Sequence, residues 1–279
     1  VTVQHIKTNL GPAPDTFVGR TADIDELGHL IEQGTRLVTV KGTGGAGKTR
    51  VCRRFARSMV DALEGGVWFV DLTEAVSVLG VLRAAAAVLD VSLGGDDNLD
   101  GLVLRLGQAI EARGPILIVL DNFEQVVEHA PATVGRWLEQ APAATFLVTS
   151  REPLRLSAEV VFPIQPLPED DGVTLFEFRA RAAGASWKGT KEADAAIHSI
   201  VKRLDGIPLA IELAAARSRM MSPQQILERL SQRFELLKGG RRGDTARQAT
   251  LRGLIRWSWA KSITASPVVC RPCCSATRN

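Results

Sequence analysis

Residues Gly42-Thr-Gly-Gly-Ala-Gly-Lys-Thr49 match the pattern G-x-x-x-x-G-K-[ST] at every position. That pattern is satisfied chemically only between a strand and a helix, and both flanks comply. Arg36-Leu-Val-Thr-Val-Lys41 reads as a short β-branched strand. The following stretch carries apolar residues at 51, 52, 55, 56 and 59, so a helix is expected over 50–63. Glycines let backbone N–H groups of Gly42, Thr43, Gly44, Gly45, Ala46 and Gly47 wrap phosphate oxygens, while the helix N-terminus faces the negative charge. Lys48 is expected to reach the β- and γ-phosphates, the Thr49 hydroxyl to hold Mg²⁺, and Arg50 to lie beside them. The context sets aside a glycine-rich turn that binds nothing, and a nucleoside triphosphate is the expected ligand.

A second signal is Pro115-Ile-Leu-Ile-Val-Leu-Asp121, a continuous apolar run ending in an acid, as in a strand buried on both faces of a parallel sheet. Ligands of such sheets bind at the carboxyl ends of the strands. Asp121 is therefore expected to help hold the Mg²⁺ shell, although an aspartate there can also simply start a turn. Glu124 is open to two readings: it orients or deprotonates an attacking water, or it is a solvated glutamate at a helix start.

Strand-like segments recur at 36–41, 67–72, 116–121 and 145–150, with helical patterns at 50–63, 76–89, 102–112 and 131–140. This alternation predicts an α/β fold, a parallel sheet with helices on both faces. Ahead of it, residues 1–16 read as a linker. Thr21 is expected to cap a helix whose face is Ile24, Leu27, Leu30 and Ile31, closed by Gly34. Prolines at 153, 163, 166 and 168 suggest an extended crossing, and the texture beyond is helical. Ala193, Ile197, Ile200, Val201 and Leu204 share a helix face, and Ser222-Pro-Gln-Gln225 reads as a capping box. The expected division is a linker over 1–16, a nucleotide-binding domain over 17–155, a small all-helical lid domain over 156–237, and an incomplete segment over 238–279.

A formal net charge of +3 is too slight to argue for nucleic-acid binding. No apolar run reaches the length of a membrane span, and the first residues lack a signal-peptide pattern, so the cytoplasm is expected. Cys52 reads as a small core residue. Cys270, Cys273 and Cys274 crowd the last ten positions, where a structural zinc site would need further ligands that the neighbourhood lacks, so an unpaired tail is expected. No Asn-Lys-x-Asp occurs, which favours adenine over guanine.

Further motifs follow in order: Phe17-Val-Gly-Arg20, the glycine-rich loop, Leu120-Asp-Asn-Phe-Glu-Gln125, Leu147-Val-Thr-Ser-Arg151, Gly206-Ile-Pro-Leu-Ala-Ile-Glu-Leu-Ala214 and Thr250-Leu-Arg-Gly-Leu-Ile-Arg-Trp-Ser258. Together, over roughly residues 14 to 260, they resemble the STAND class of signal-transduction ATPases. More narrowly, they resemble the NB-ARC-like P-loop NTPase module of bacterial transcriptional regulators of the AfsR/SARP and large LuxR types. The resemblance implies that Val18 and Arg20 line the adenine and ribose side of the pocket. It implies that Arg151 senses the γ-phosphate and that Pro208 presses on adenine from the helical domain, although Gly-x-Pro is also an ordinary turn between helices. It implies ATP/ADP and Mg²⁺ as ligands, slow hydrolysis with a switching role, and the truncated start of a winged-helix domain after residue 238. Partners implied are proteins or further copies of the chain, with DNA reached only through domains outside this chain.

Two departures stand out. Many relatives carry a second acid directly after the strand aspartate, where this chain has Asn122, so weak hydrolysis or reliance on Glu124 is expected. After Ala260 the helical pattern stops, which suggests a frameshift or a shortened reading frame. The rival readings are a turnover enzyme (an ATPase or small-molecule kinase) and a shortened module that no longer switches.

Overall fold

The computed structural model describes residues 7–12, 17–94, 98–185 and 190–238, with side chains through Ser231. The expected tail cysteines, the Thr250–Ser258 motif, the winged-helix start and part of the 1–16 linker lie outside the described residues. Contacts divide the chain into two units. The first takes the residues up to Thr174 together with Ile207–Leu209; the second takes Leu175–Gly206 and the residues from Ala210 onward.

The first unit is built on a five-stranded parallel sheet, β1 Leu37–Lys41, β2 Val67–Asp71, β3 Ile116–Asp121, β4 Ala144–Ser150 and β5 Glu159–Pro163, in the order β2-β3-β4-β1-β5. Strand β3 shows why its sequence is apolar throughout. Ile116, Ile118 and Leu120 enter one core with α3 Val78–Leu89, α4 Leu99–Glu111 and α5 Arg136–Gln140. Leu117 and Val119 enter the other, with α1 Thr21–Glu32 and α2 Lys48–Ser58. A strand covered on both faces cannot alternate apolar with polar residues. In the first core Trp137 is fully buried, stacks 6.3 Å from Phe146, and donates its indole N–H to the Val103 carbonyl at 3.2 Å. The parallel α/β sheet expected from the sequence is the observed one.

Several local expectations are corrected. Thr21 does not cap α1: it is the first helical residue, and Arg20 takes the cap position with φ 68° and no side-chain cap. The buried residue of that helix is Leu27, with Ile24, Leu30 and Ile31 packed against the same core. The predicted helix over 131–140 is α-helical only in α5, preceded by a π-type stretch at Pro131–Gly135. The extended crossing contains β5, which runs parallel to β1 with Glu159 opposite Leu37 and Pro163 opposite Lys41. As β5 is an edge strand, its terminal proline costs no ladder hydrogen bond.

The free edge of β2 is covered by the segment read as a linker. Val67 N–H donates to the Lys7 carbonyl at 2.8 Å, and Thr8 bridges Val67 in parallel. The Asn9 amide then clamps Phe69, donating to its carbonyl at 2.8 Å and accepting from its N–H at 2.7 Å. Gly66, at φ 76°, is required here, because any side chain would run into the Lys7 carbonyl.

Helix α6 Glu169–Ala182 leads into the second unit, which is helical, with α7 Lys191–Arg203 packed on α9 Pro223–Lys238. Thr190 caps α7 by accepting from Ala193 N–H at 3.2 Å. The predicted face Ala193, Ile197, Ile200, Val201 and Leu204 is buried throughout. The capping box also forms: Gln225 N–H reaches Ser222 Oγ at 3.3 Å and Ser222 N–H reaches Gln225 Oε1 at 3.0 Å. Asp205 and Gly206, at φ 51° and 63°, turn the chain between α7 and α8 Pro208–Ala215. No helix among the described residues is long and apolar enough to cross a membrane.

Candidate phosphate-binding site

The loop between β1 and α2 is closed locally. Gly42 N–H donates to the Ser150 carbonyl at 3.3 Å and Ala46 N–H to the Thr43 carbonyl at 3.3 Å. Gly45 and Gly47 hold φ 77° and 93°, a backbone region that side chains disfavour, so these two glycines are conformational requirements. Lys48 lies along the inside of this loop. It is 8% exposed, and its ammonium donates to the carbonyls of Gly42 at 2.9 Å and Thr43 at 3.3 Å. Burial lowers its pKa below the ordinary lysine value; Arg151 lowers it further, while the charges of Glu124 and Asp121 act in the opposite direction.

One residue on, the Thr49 hydroxyl donates to Asp121, 2.8 and 3.1 Å from its two oxygens. Asp121 is itself buried. From β4, the Thr149 hydroxyl donates to Asp121 Oδ1 at 2.6 Å and accepts the Asn122 N–H at 3.0 Å. Burial raises the Asp121 pKa, and the hydrogen bonds from Thr149 and Thr49 oppose that shift. Threonine oxygen and carboxylate together form the hard-oxygen pair that suits Mg²⁺ rather than a softer metal. The donor set therefore fits the ion that the loop implies.

Asn122, in the left-handed conformation at φ 63°, fills the position of the absent second acid. Its amide donates to Thr73 Oγ1 at 2.8 Å and lies 3.3 Å from Asp121 Oδ2 and 3.4 Å from Asp71 Oδ1. Asp71 ends β2 just as Asp121 ends β3, and the two are register partners. A hydrogen bond from the Thr73 hydroxyl is the first cause holding the Asp71 carboxyl below its usual range.

The remaining predicted residues fall into three places. Arg20 is pinned to the loop: it donates to the Ala46 carbonyl at 3.3 Å, pairs with Asp23 at 3.4 Å, and its side chain is 7% exposed. Val18 lies half-buried two residues before it, and Arg50 half-buried in the first turn of α2. Glu124 and Arg151 meet each other, Nε to Oε1 at 2.9 Å. Pro208 is buried, its ring 3.8 Å from where a side chain on Gly47 would begin. Next to it, Leu209 N–H donates to the Gly45 carbonyl at 3.2 Å. Sequence reasoning missed Thr149, Asp71, Thr73 and Leu209. Asp71 carried a readable signal, since Val67-Trp-Phe-Val-Asp71 repeats the pattern of an apolar run ending in an acid.

Residues 31–153 match the family model described as an AAA domain. A Mycobacterium tuberculosis protein whose name assigns it provisionally as an HTH-type transcriptional regulator is 40% identical over 228 residues, covering 81% of this chain. The chain spans only 25% of that protein's length. Among solved structures, a Walker-type ATPase of Pyrococcus abyssi superposes with a TM-score of 0.57 at 15% identity, covering 80% of this chain and 74% of its own. A Pyrococcus horikoshii STAND protein with a tetratricopeptide repeat sensor gives 0.51 at 15% identity, covering 87% of this chain and 40% of its own. These two likenesses concern the fold. Residues 31–153 are thus similar to an AAA domain, and the sheet and its helices have a P-loop NTPase fold.

Proposed function

We propose that this chain is an ATP- and ADP-binding, slowly hydrolysing switch module of the STAND type within a transcriptional regulator. The observation that carries the reading is the meeting of Lys48 and Thr49, on the glycine loop, with Asp121 at the end of β3. The Lys48 ammonium would exchange two neutral carbonyls for phosphate oxygens, a stronger charge-assisted pairing. Thr49 and Asp121 would hold Mg²⁺, which when bound neutralises charge between the β- and γ-phosphates. Val18 and Arg20 would flank the nucleoside, Arg50 would lie beside the phosphate loop, and Pro208 would bear on adenine. The nucleotide-binding domain would run from residue 17 past the expected boundary at 155 to take in β5, the helical domain would follow it up to 237, and 238–279 would be the incomplete start of a winged-helix domain.

The mycobacterial regulator supports a role in transcription, with DNA reached through domains that this chain does not include. Protein partners or further copies of the chain, and a cytoplasmic setting, complete the reading. Pairing of Glu124 with Arg151 favours slow turnover over a metabolic ATPase or kinase, because the carboxylate best placed to take a proton from water already neutralises a cation.

Calorimetric titration of Mg²⁺–ATP and Mg²⁺–ADP into wild type and Lys48→Ala tests the site. Binding by the wild type and none by a folded Lys48→Ala protein is expected. Equal affinities would overturn the assignment. Steady-state hydrolysis near ~1–100 s⁻¹, the range of phosphoryl-transfer enzymes, would replace the switch with the turnover reading.

A further inference from the structure

Arg151 follows β4 and Glu124 follows β3, so adjacent strands deliver the two side chains to one place. The Arg151 side chain is 61% exposed and that of Glu124 18%. Glu124 Oε1 accepts Arg151 Nε, while Oε2 is buried and has no hydrogen-bond partner among the described residues. Glu124 is therefore a half-satisfied anion whose ion-pair partner is Arg151. The roles assigned above to these residues compete for one guanidinium, whose Nε is engaged by Glu124. An arginine that reads a terminal phosphate must turn its fork to that phosphate, and a glutamate that serves water must present an open oxygen. Lys48 differs, since neutral carbonyls hold it and yield readily to phosphate.

The consequence is selective. A diphosphate lacks the group that Arg151 would read, so it leaves the pair alone. A triphosphate competes with Glu124 for that cation, and any withdrawal of Arg151 leaves an already under-satisfied carboxylate with even fewer partners. We propose that Glu124 is a specificity-determining residue, which retains Arg151 until a terminal phosphate competes for it and so biases the site toward the diphosphate state. The proposal rests on the nucleotide-binding reading and adds to it the basis of discrimination between the two nucleotides.

The test is a double-mutant cycle in the full chain. Affinities for ADP and for a non-hydrolysable ATP analogue, each with Mg²⁺, are measured for wild type, Glu124→Gln, Arg151→Ala and the double variant. Glu124→Gln should raise the analogue-to-ADP affinity ratio roughly two- to five-fold, the scale of a largely exposed ion pair. That gain should vanish in the Arg151→Ala background. If Glu124 merely repelled the terminal phosphate, the gain would be equal or larger without Arg151, and that ordering would overturn the proposal. An unchanged ratio would do the same. Glu124→Ala repeats the cycle without the residual amide acceptor, and either variant that melts cooperatively carries the test. A wild type that binds neither nucleotide would remove the underlying reading as well, whereas binding without coupling would remove only this proposal.

Discussion

Thr149 and Asp121, on adjacent strands of the candidate phosphate-binding site, share a 2.6 Å hydrogen bond, and the same hydroxyl accepts the Asn122 N–H. One buried hydroxyl thus orients the carboxylate and fixes the backbone turn that follows it.

Replacing Thr149 with valine keeps the volume and removes both bonds. The part-buried Asn122 N–H loses its acceptor and Asp121 loses a donor. We expect a loss of about 1–3 kcal/mol in denaturant unfolding. Thr149→Ser, which keeps the hydroxyl, should stay closer to wild type than to Thr149→Val. Indistinguishable midpoints for valine and wild type would show that the hydroxyl is energetically idle.

Asp121 gives a prediction in pH. Burial raises its folded-state pKa, so the native protein binds its proton more tightly than the unfolded chain does. Its contribution to stability is therefore greatest below the ordinary carboxylate range and is lost as pH rises through the raised value. In metal-free buffer, Asp121→Asn should melt above wild type at neutral pH. The gap should shrink as pH falls towards about 4, where an ordinary aspartate takes up its proton. A gap that widened on acidification would contradict the sign.

Gly45 links loop conformation to packing. At φ 77°, an alanine would suffer left-handed strain of about 1–2 kcal/mol. Its Cβ would also stand 2.9 Å from Leu209 Cβ. Gly45→Ala should therefore destabilise the protein by more than the strain alone. In a Leu209→Gly background the penalty should shrink, because the clashing Cβ is gone and the strain remains. Additive effects would mean that the two residues do not press on each other.

The glycine loop, its flanking strand and helix, and the apolar run ending at Asp121 were legible because each is written in contiguous residues. A 3.6-residue or all-apolar pattern reports which faces are covered, and the loop motif reports a backbone conformation that few residues adopt. The same holds for the α7 face and the Ser222 capping box. Thr21 misled because a threonine before an apolar face usually caps, whereas here Arg20 adopts φ 68° to reach the loop carbonyl of Ala46. Strand β5 was obscured by its flanking prolines, and only pairing with β1 makes it a strand.

What the sequence by itself determined is the chemistry available: a phosphate cradle, a lysine, a threonine and an aspartate in a parallel α/β sheet. The tertiary structure alone decided how those groups are coupled. Thr149 reaches Asp121 across 28 positions and Arg151 reaches Glu124 across 27, while Asn9 grips Phe69 across 60. The physical reason is that strand order in a sheet sets such neighbours, and local periodicity carries no record of which strand lies beside which.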